Sequence, residues 1–301
     1  MRRIFPFLLL ILFIGGCLLA QEKTERERTA LYNLIERADA GDAKAMFDLA
    51  RLYEMGYDSI PVDSVRSIEL YLNSAEKGYA PAMNYVGFRY YSGSGVKKDI
   101  DSAFYWIRAA ADKGDITAAA NLGFLLTESE FFPHDENEAR KWITIAAEGG
   151  VREAQHKLIE IMDSEWKEIS GDSALMMGMK YYLGKAPILG VELIKKAAAQ
   201  KNHQALAILG DAYSKGIGVP YDHQKSIEYF YLAAQEGNPS AQFIIGEMLE
   251  IFPESLPFTE EKDSGALEDL STPFYWYEKA AENGVTDAES AYRLLYSYPT
   301  Q

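Results

Sequence analysis

Apolar positions in this chain fall at three- and four-residue spacing, in short blocks that close on glycine. The pattern is clearest between Ala82 and Gly114. Ala82, Val86, Gly87 and Tyr90 make one face, SGSGV interrupts it, and Ala103, Trp106, Ala110 and Ala111 make a second face that stops at Gly114. The spacing predicts two helices. Small residues at Ala82 and Gly87 let a neighbouring helix come close, with Tyr90 filling the space beside them. Glycine accepts backbone angles that other residues resist, so SGSGV ends the first helix. Asp99 stands where a side-chain oxygen can cap the first free amides of the second. Asp99, Asp135 and Asp222 all occupy this place, which reads as capping and not as metal ligation.

The same block returns without a gap as Ala205 to Gly237, with ten of 33 aligned pairs identical, among them Ala82/Ala205, Gly87/Gly210, Tyr90/Tyr213, Gly93/Gly216, Gly95/Gly218 and Asp99/Asp222. Such self-similarity marks a repeat array. The shared A-x-x-x-x-G-x-x-Y-x-x-G-x-G-V-x-x-D, closing on Ala-Ala-x-x-Gly, resembles the Sel-1-like repeat, a branch of the tetratricopeptide-like helical solenoids. The resemblance implies an all-α fold, a right-handed superhelical α-solenoid of antiparallel helix pairs. It also implies an adaptor or scaffold that binds other proteins.

Taken in order, residues 1–16 read as an export signal: Met1-Arg2-Arg3 is basic, and Ile4 to Ile14 is apolar but too short to span a bilayer. Ile14-Gly15-Gly16-Cys17 resembles a bacterial lipobox, which implies cleavage before Cys17 and lipid attachment to it; the alternative is ordinary cleavage after Ala20. Residues 17–28 are a charged tether. Residues 29–301 hold about six repeats, opened by a lone helix that closes at Gly41 and ended by a lone helix from Asp287 to Tyr296. Repeat three lacks the turn glycines, with Ser129 and Phe131 in their places and Pro133 stopping the helix. The region 151–188 is irregular. A helix over about 152–167 has no partner in the simple count, a second helix follows from Ala174, and Lys201 takes the closing-glycine place. This stretch is expected to be the weak point of the array. Repeat six carries a Pro- and Glu-rich insert over 252–271.

Charge and cysteine usage narrow the function. The net charge is −15, which disfavours nucleic acid and anionic lipid surfaces as partners. Cys17 is the one cysteine, so no internal disulfide forms. Some secreted members of the resembled family staple each helix pair with a disulfide and have penicillin binding or hydrolysis attributed to them; those cysteine pairs are absent here. His134, His156, His203 and His223 are isolated, and no phosphate loop or nucleophile arrangement is present. No catalytic residue, metal or cofactor is therefore expected.

The expected role is a protein-binding scaffold in the cell envelope, as a lipoprotein on the outer membrane or facing the periplasm, or else as a soluble periplasmic or secreted protein. An envelope enzyme acting on peptidoglycan or β-lactams and an aromatic carbohydrate-binding module are the alternatives. Trp106, Trp142 and Trp276 are read as inter-helix packing rather than sugar platforms. At about 100° per residue, the side of the first helices opposite the packing face carries Asn84, Phe88, Tyr91, Phe124, Asp211, Ser214, Phe243 and Glu247, with Phe47, Arg51, Glu54, Ala120, Thr127, Ala207 and Glu250 in equivalent places. This row is the expected binding groove, suited to a basic or extended peptide-like segment.

Overall fold

A computed structural model describes residues 25–57, 60–128, 130, 135–252 and 272–297. The leader, Cys17, the turn residues Ser129, Phe131 and Pro133, and the insert beyond Phe252 lie outside the described residues. The chain is an all-α repeat solenoid. Its helices are α1 (25–39), α2 (Ala43–Met55), α3 (Ser64–Glu76), α4 (Ala80–Ser92), α5 (Ile100–Asp112), α6 (Ile116–Glu128), α7 (Glu136–Glu148), α8 (Arg152–Trp166), α9 (Gly171–Tyr182), α10 (Pro187–Ala199), α11 (His203–Lys215), α12 (His223–Gln235), α13 (Pro239–Ile251), α14 (Pro273–Glu282) and α15 (Thr286–Ser297). Among the described residues the extended pairing is one bridge, Tyr57 to Ile60. No described helix is long and apolar enough to cross a membrane. The chain divides into two compact units, residues 1–139 and 140–301, and each is described by itself.

Four of the helix pairs are built on one close crossing at a glycine. In the first unit, a Cβ added to Gly87 of α4 would lie 2.6 Å from Ile107 Cγ1 and 3.1 Å from the Ala103 carbonyl oxygen on α5. The second unit repeats this at Gly178 against Ile194, Gly210 against Phe230 and Gly246 against Tyr277, at 2.6 to 2.8 Å. Where a serine faces the crossing it is satisfied by the partner helix: Ser67 Oγ donates to the Ala50 carbonyl at 2.9 Å, and Ser226 Oγ to the Gly210 carbonyl at 2.8 Å. A buried hydroxyl left unpaired would cost about 1–3 kcal/mol.

Helix starts follow the expected capping. Asp63, Asp99, Asp135 and Asp222 each accept from a backbone N–H in the first turn of their second helix. Asp42, Asp115, Asn202 and Asn238 do the same for first helices. A cation near the cap also reaches back to the first helix, Arg66 over the Tyr53 ring at 5.0 Å and Lys225 over Tyr213 at 5.4 Å. Trp142 and Trp276 are buried, and so is Trp166, so these rings serve packing; Trp106 is half-buried.

The irregular stretch holds one regular pair and one additional helix. α9 makes the normal crossing with α10, tightened by two glycines: a Cβ on Gly190 would stand 2.4 Å from the Tyr182 backbone nitrogen. α8 is held against α10 and its entry loop. Gln155, buried on α8, accepts from Ile188 N–H at 3.1 Å and donates to the Lys185 carbonyl at 3.2 Å. Lys196 of α10 pairs with Asp163 of α8 at 3.1 Å. The break before α9 is tied down by Gln200, which accepts from Gly171 N–H at 2.7 Å and donates to the Ile169 carbonyl at 2.9 Å. α8 stands outside the helix pairs, as in the simple count, and Gln155 and Asp163 attach it to α10 and its entry loop.

Two substitutions test this architecture. Gly190→Ala gains about 1 kcal/mol of helix propensity, but its methyl meets backbone that no rotamer change can move, which costs about 3 kcal/mol. A net loss of about 2 kcal/mol is expected in urea denaturation, and an unchanged midpoint would mean that the crossing tolerates bulk. Lys201 has φ 60°, among the described residues the one non-glycine in the left-handed region. Its ion pair with Glu236 is highly exposed and contributes little. Lys201→Gly should therefore raise stability by about 1 kcal/mol, while Lys201→Ala should leave it near wild type.

Candidate protein-binding surface

In the first unit the predicted row lies on α2, α4 and α6. Phe88 is 57% exposed, and Arg51 is exposed beside it in the row. Asn84, Tyr91, Phe124 and Thr127 are half-buried. Ala120 is buried, against expectation. The cause is lateral packing: first helices of successive repeats touch one another, as the hydrogen bond from Asn121 Nδ2 to Asn84 Oδ1 at 3.0 Å shows. Only a strip of each first helix stays free. Phe88 and Tyr91 share that strip on α4 with ring centroids 6.4 Å apart, and Lys98 lies 5.8 Å over Tyr91.

Beside this strip the first unit builds a polar and aromatic cluster from three helices. Glu54 of α2 accepts from Tyr71 of α3 at 2.9 Å and from Tyr85 of α4 at 2.5 Å, and it pairs with Arg89 of α4. Arg89 also donates to the Tyr85 hydroxyl and lies over its ring. Phe47 of α2 meets Tyr71, Tyr79 and Tyr85 edge-on, at centroid distances of 5.3, 5.4 and 6.3 Å. Burial pushes the Glu54 carboxyl upward. The bonds from Tyr85 and Tyr71 and the Arg89 charge outweigh that, and hold it below its ordinary value. Burial and the neighbouring carboxylate push the Tyr71 and Tyr85 hydroxyls up, so both stay protonated donors.

In the second unit the predicted residues behave differently. Asp211 is half-buried and pairs with Lys215 one turn on, at 2.7 Å. Ser214 is half-buried and folds back on its own helix, donating to the Asp211 carbonyl at 2.8 Å. These two are engaged within α11. Phe243 of α13 is half-buried against Tyr277 of α14, with centroids 5.6 Å apart. Glu247 and Glu250 are exposed, and Glu250 accepts from the Tyr277 hydroxyl at 2.8 Å.

The structure thus groups Phe88 with Tyr91, and Phe243 with the Glu247 and Glu250 carboxylates. Tyr71, Tyr85 and Arg89 are functional candidates that single-helix reasoning missed. Aligning repeat one with repeat six would have found Tyr71, because Phe47, Glu54 and Tyr71 correspond to Phe243, Glu250 and Tyr277. Chemically the arrangement offers fixed rings and paired charges suited to recognition. Among the described residues no group of three His, Cys, Asp or Glu side chains is placed to hold a metal ion.

The Sel1 repeat pattern matches residues 43–79, 80–115, 116–151, 203–238 and 268–285. The chitin synthase regulator SKT5 of Saccharomyces cerevisiae is 33% identical over 126 residues, which is 40% of this chain and 18% of that protein. The protein NMB1327 of Neisseria meningitidis serogroup B is 30% identical over 181 residues, 60% of this chain and 34% of that one. The solved structure of c5321, a protective antigen of uropathogenic Escherichia coli with an SLR fold, matches at a TM-score of 0.41 and 29% identity, over 90% of this chain and 60% of that chain. The chain spans less than half the length of these two sequence relatives. With the matched segments together making up more than half of its length, the chain belongs to the Sel1 repeat family.

Proposed function

We propose that this chain is a non-catalytic scaffold that binds other proteins through the free strips of its first helices, and that it works in the cell envelope on a lipid anchor at Cys17. The observation that carries the binding reading is Phe88, a large ring left 57% exposed on a well-packed helix, with Tyr91 beside it. Neither the core nor the repeat pattern requires an aromatic at that position, since Ala207 and Ile208 to Asp211 run through the equivalent stretch of α11 without one. Rigid aromatics with a polar rim are the usual anchors of protein interfaces. A relative named as a regulator of chitin synthase supports a role exercised through another protein. The net charge of −15 favours a basic or extended peptide-like partner.

The anchor rests on sequence: the basic and apolar leader of residues 1–16, followed by Ile14-Gly15-Gly16-Cys17, with Cys17 the one cysteine of the chain. One acyl chain holds a protein only marginally, but the several chains of a lipoprotein hold it firmly.

Two experiments test the reading. Cys17→Ser should move the protein from the membrane to the soluble envelope fraction or leave the leader uncleaved; a wild type already soluble with Gln21 at its N-terminus would refute the anchor. Phe88→Ala combined with Tyr91→Ala should abolish capture of cross-linked partners from envelope extract, and rising salt should weaken capture by the wild type. Phe88 is exposed and Tyr91 half-buried, so the melting temperature of the variant should fall modestly while the protein stays folded. Normal capture by this variant, with loss in variants of exposed second-helix residues such as Tyr105, would place the working surface on the other face.

A further inference from the structure

The hairpin turn of repeat one carries an apolar surface that the fold does not require. Met55, Tyr57, Val62 and Val65 are each between 45% and 70% exposed. They form one patch around Gly56. Met55 and Tyr57 flank that glycine in the chain, Val62 Cγ2 lies 3.0 Å from where a Cβ on it would stand, and Val65 lies in the first turn of α3. The Tyr57–Ile60 bridge fixes the loop. Ile60 is buried in the cluster that holds Leu31, Leu34 and Ile35 of α1, and Tyr57 is left outside. In repeat two the four corresponding residues are Ser92, Ser94, Lys98 and Asp101, and in repeat five they are Lys215, Ile217, Tyr221 and Gln224. The turn is thus built equally well with polar residues, and four exposed apolar side chains at repeat one call for something to cover them.

The place of the patch says what meets it. α1 packs against repeat one through Leu31, Leu34, Ile35 and Ala38, and its closing end at Gly41 lies beside the Lys77 ammonium at the end of α3. α1 therefore runs back along α2, and its first residue, Glu25, lies on the edge that carries the repeat-one turn. The two helices are about 22 and 20 Å long, so Glu25 and Met55 stand nearly level. From Glu25 the sequence leads back to Cys17 over eight residues, which reach at most about 29 Å. Attachment of Cys17 to a bilayer holds this edge close to the surface, with the Gly41 edge a helix length further from the attachment.

We propose that Met55, Tyr57, Val62 and Val65 form a membrane-contact surface, which rests in the interfacial layer of a zwitterionic phospholipid bilayer when Cys17 is attached to that bilayer. This inference rests on the anchor reading and adds how the anchored chain is oriented. Tyrosine, with an apolar body and a polar tip, suits the headgroup level, and methionine and valine bring no charge that must be desolvated there. Four side chains alone bury too little to hold a protein on a membrane. A short tether changes that, because it makes the contact intramolecular at an effective concentration in the millimolar range. The net charge of −15 selects a zwitterionic surface over an anionic one.

The test supplies the attachment chemically. The chain from Cys17 onward, which keeps every described helix, is coupled through its one thiol to a maleimide-bearing lipid in phosphatidylcholine vesicles. Tyr57→Trp serves as reporter, read as the emission above that of the four native tryptophans. Vesicles with brominated acyl chains should quench this added emission by about twofold or more, since the ring then lies at the headgroup and acyl boundary. Lys44→Trp, exposed at the opposite end of α2, should not be quenched. Giving the reporter chain the repeat-two residues, through Met55→Ser, Val62→Lys and Val65→Asp, should abolish the quenching. Circular dichroism should stay that of the parent, because all three positions are exposed. Uncoupled protein carrying Cys17→Ser should show little quenching at the same concentration. Absent quenching in the coupled reporter, equal quenching at Lys44→Trp or in the uncoupled protein, or quenching that survives the three replacements overturns the proposal. Concentration-dependent dimerisation lost with those replacements, in place of quenching, also overturns it, because the occupant is then a second copy of this chain. The coupling does not depend on acylation in the cell. A failed anchor therefore registers in the membrane fraction and N-terminus of the wild type, and a failed contact registers in the vesicles.

Discussion

The structure depends on how closely two helices of a pair can approach. At Gly87, Gly178, Gly210 and Gly246 there is no room for a side chain, because a residue of the partner helix occupies the place where Cβ would be. Glycine inside a helix costs about 1 kcal/mol against alanine, and the fold accepts that loss because the close crossing presses the alanine-rich faces together. Ala82, Ala103, Ala110 and Ala118 are fully buried by it. A similar constraint links neighbouring repeats. A Cβ on Gly95 would stand 2.1 Å from Ile68 Cδ1 of the preceding second helix, and one on Gly218 would stand 2.4 Å from the Pro187 carbonyl. The hairpin turn of each regular repeat is thus also its docking foot on the repeat before it. Stability in such an array is a sum of pair and neighbour contributions, and both rest on glycine.

This explains how the chain absorbs its irregular stretch. α9 and α10 preserve the crossing through Gly178 and Gly190, so the local unit is intact. α8 needs only an attachment, and Gln155 gives it one by bonding two backbone groups of the loop that enters α10. Because each element answers to its neighbours and to nothing more distant, an additional helix can be added where one polar residue satisfies the backbone it covers.

The repeat architecture was legible because it is carried by residues close in sequence. The capping aspartates, the closing glycines and the Ala–Gly–Tyr face of α4 and α11 act within one pair, where the spacing puts them. The binding row was legible only in part. A projection at about 100° per residue treats a helix as if it stood alone, whereas a solenoid helix has lateral neighbours. That is why Ala120 is buried and why Asn84 is spent on Asn121. The Glu54 cluster was not legible from one helix at all, since its donors come from α3 and α4. The partner of α8 was hidden for a similar reason: Gln155 bonds backbone some 30 residues on, and main-chain groups carry no sequence signature.

The same constraint accounts for where this chain is free to differ from others of its family. The crossing and the turns fix small residues and tyrosines at set places, and they ask nothing of the outer strip of the first helices. Phe88 and Arg51 sit there exposed, as does Glu247 near the far end of the sequence. Lateral packing keeps the strip narrow, so few residues per repeat can carry recognition, and each must contribute much. Aromatic rings and charge-assisted bonds are the side-chain interactions that can do so. Specificity in this fold is therefore written by a handful of positions laid over an unvarying frame. A shared repeat pattern in two proteins then implies a shared frame, while their partners are set by residues that the pattern leaves blank.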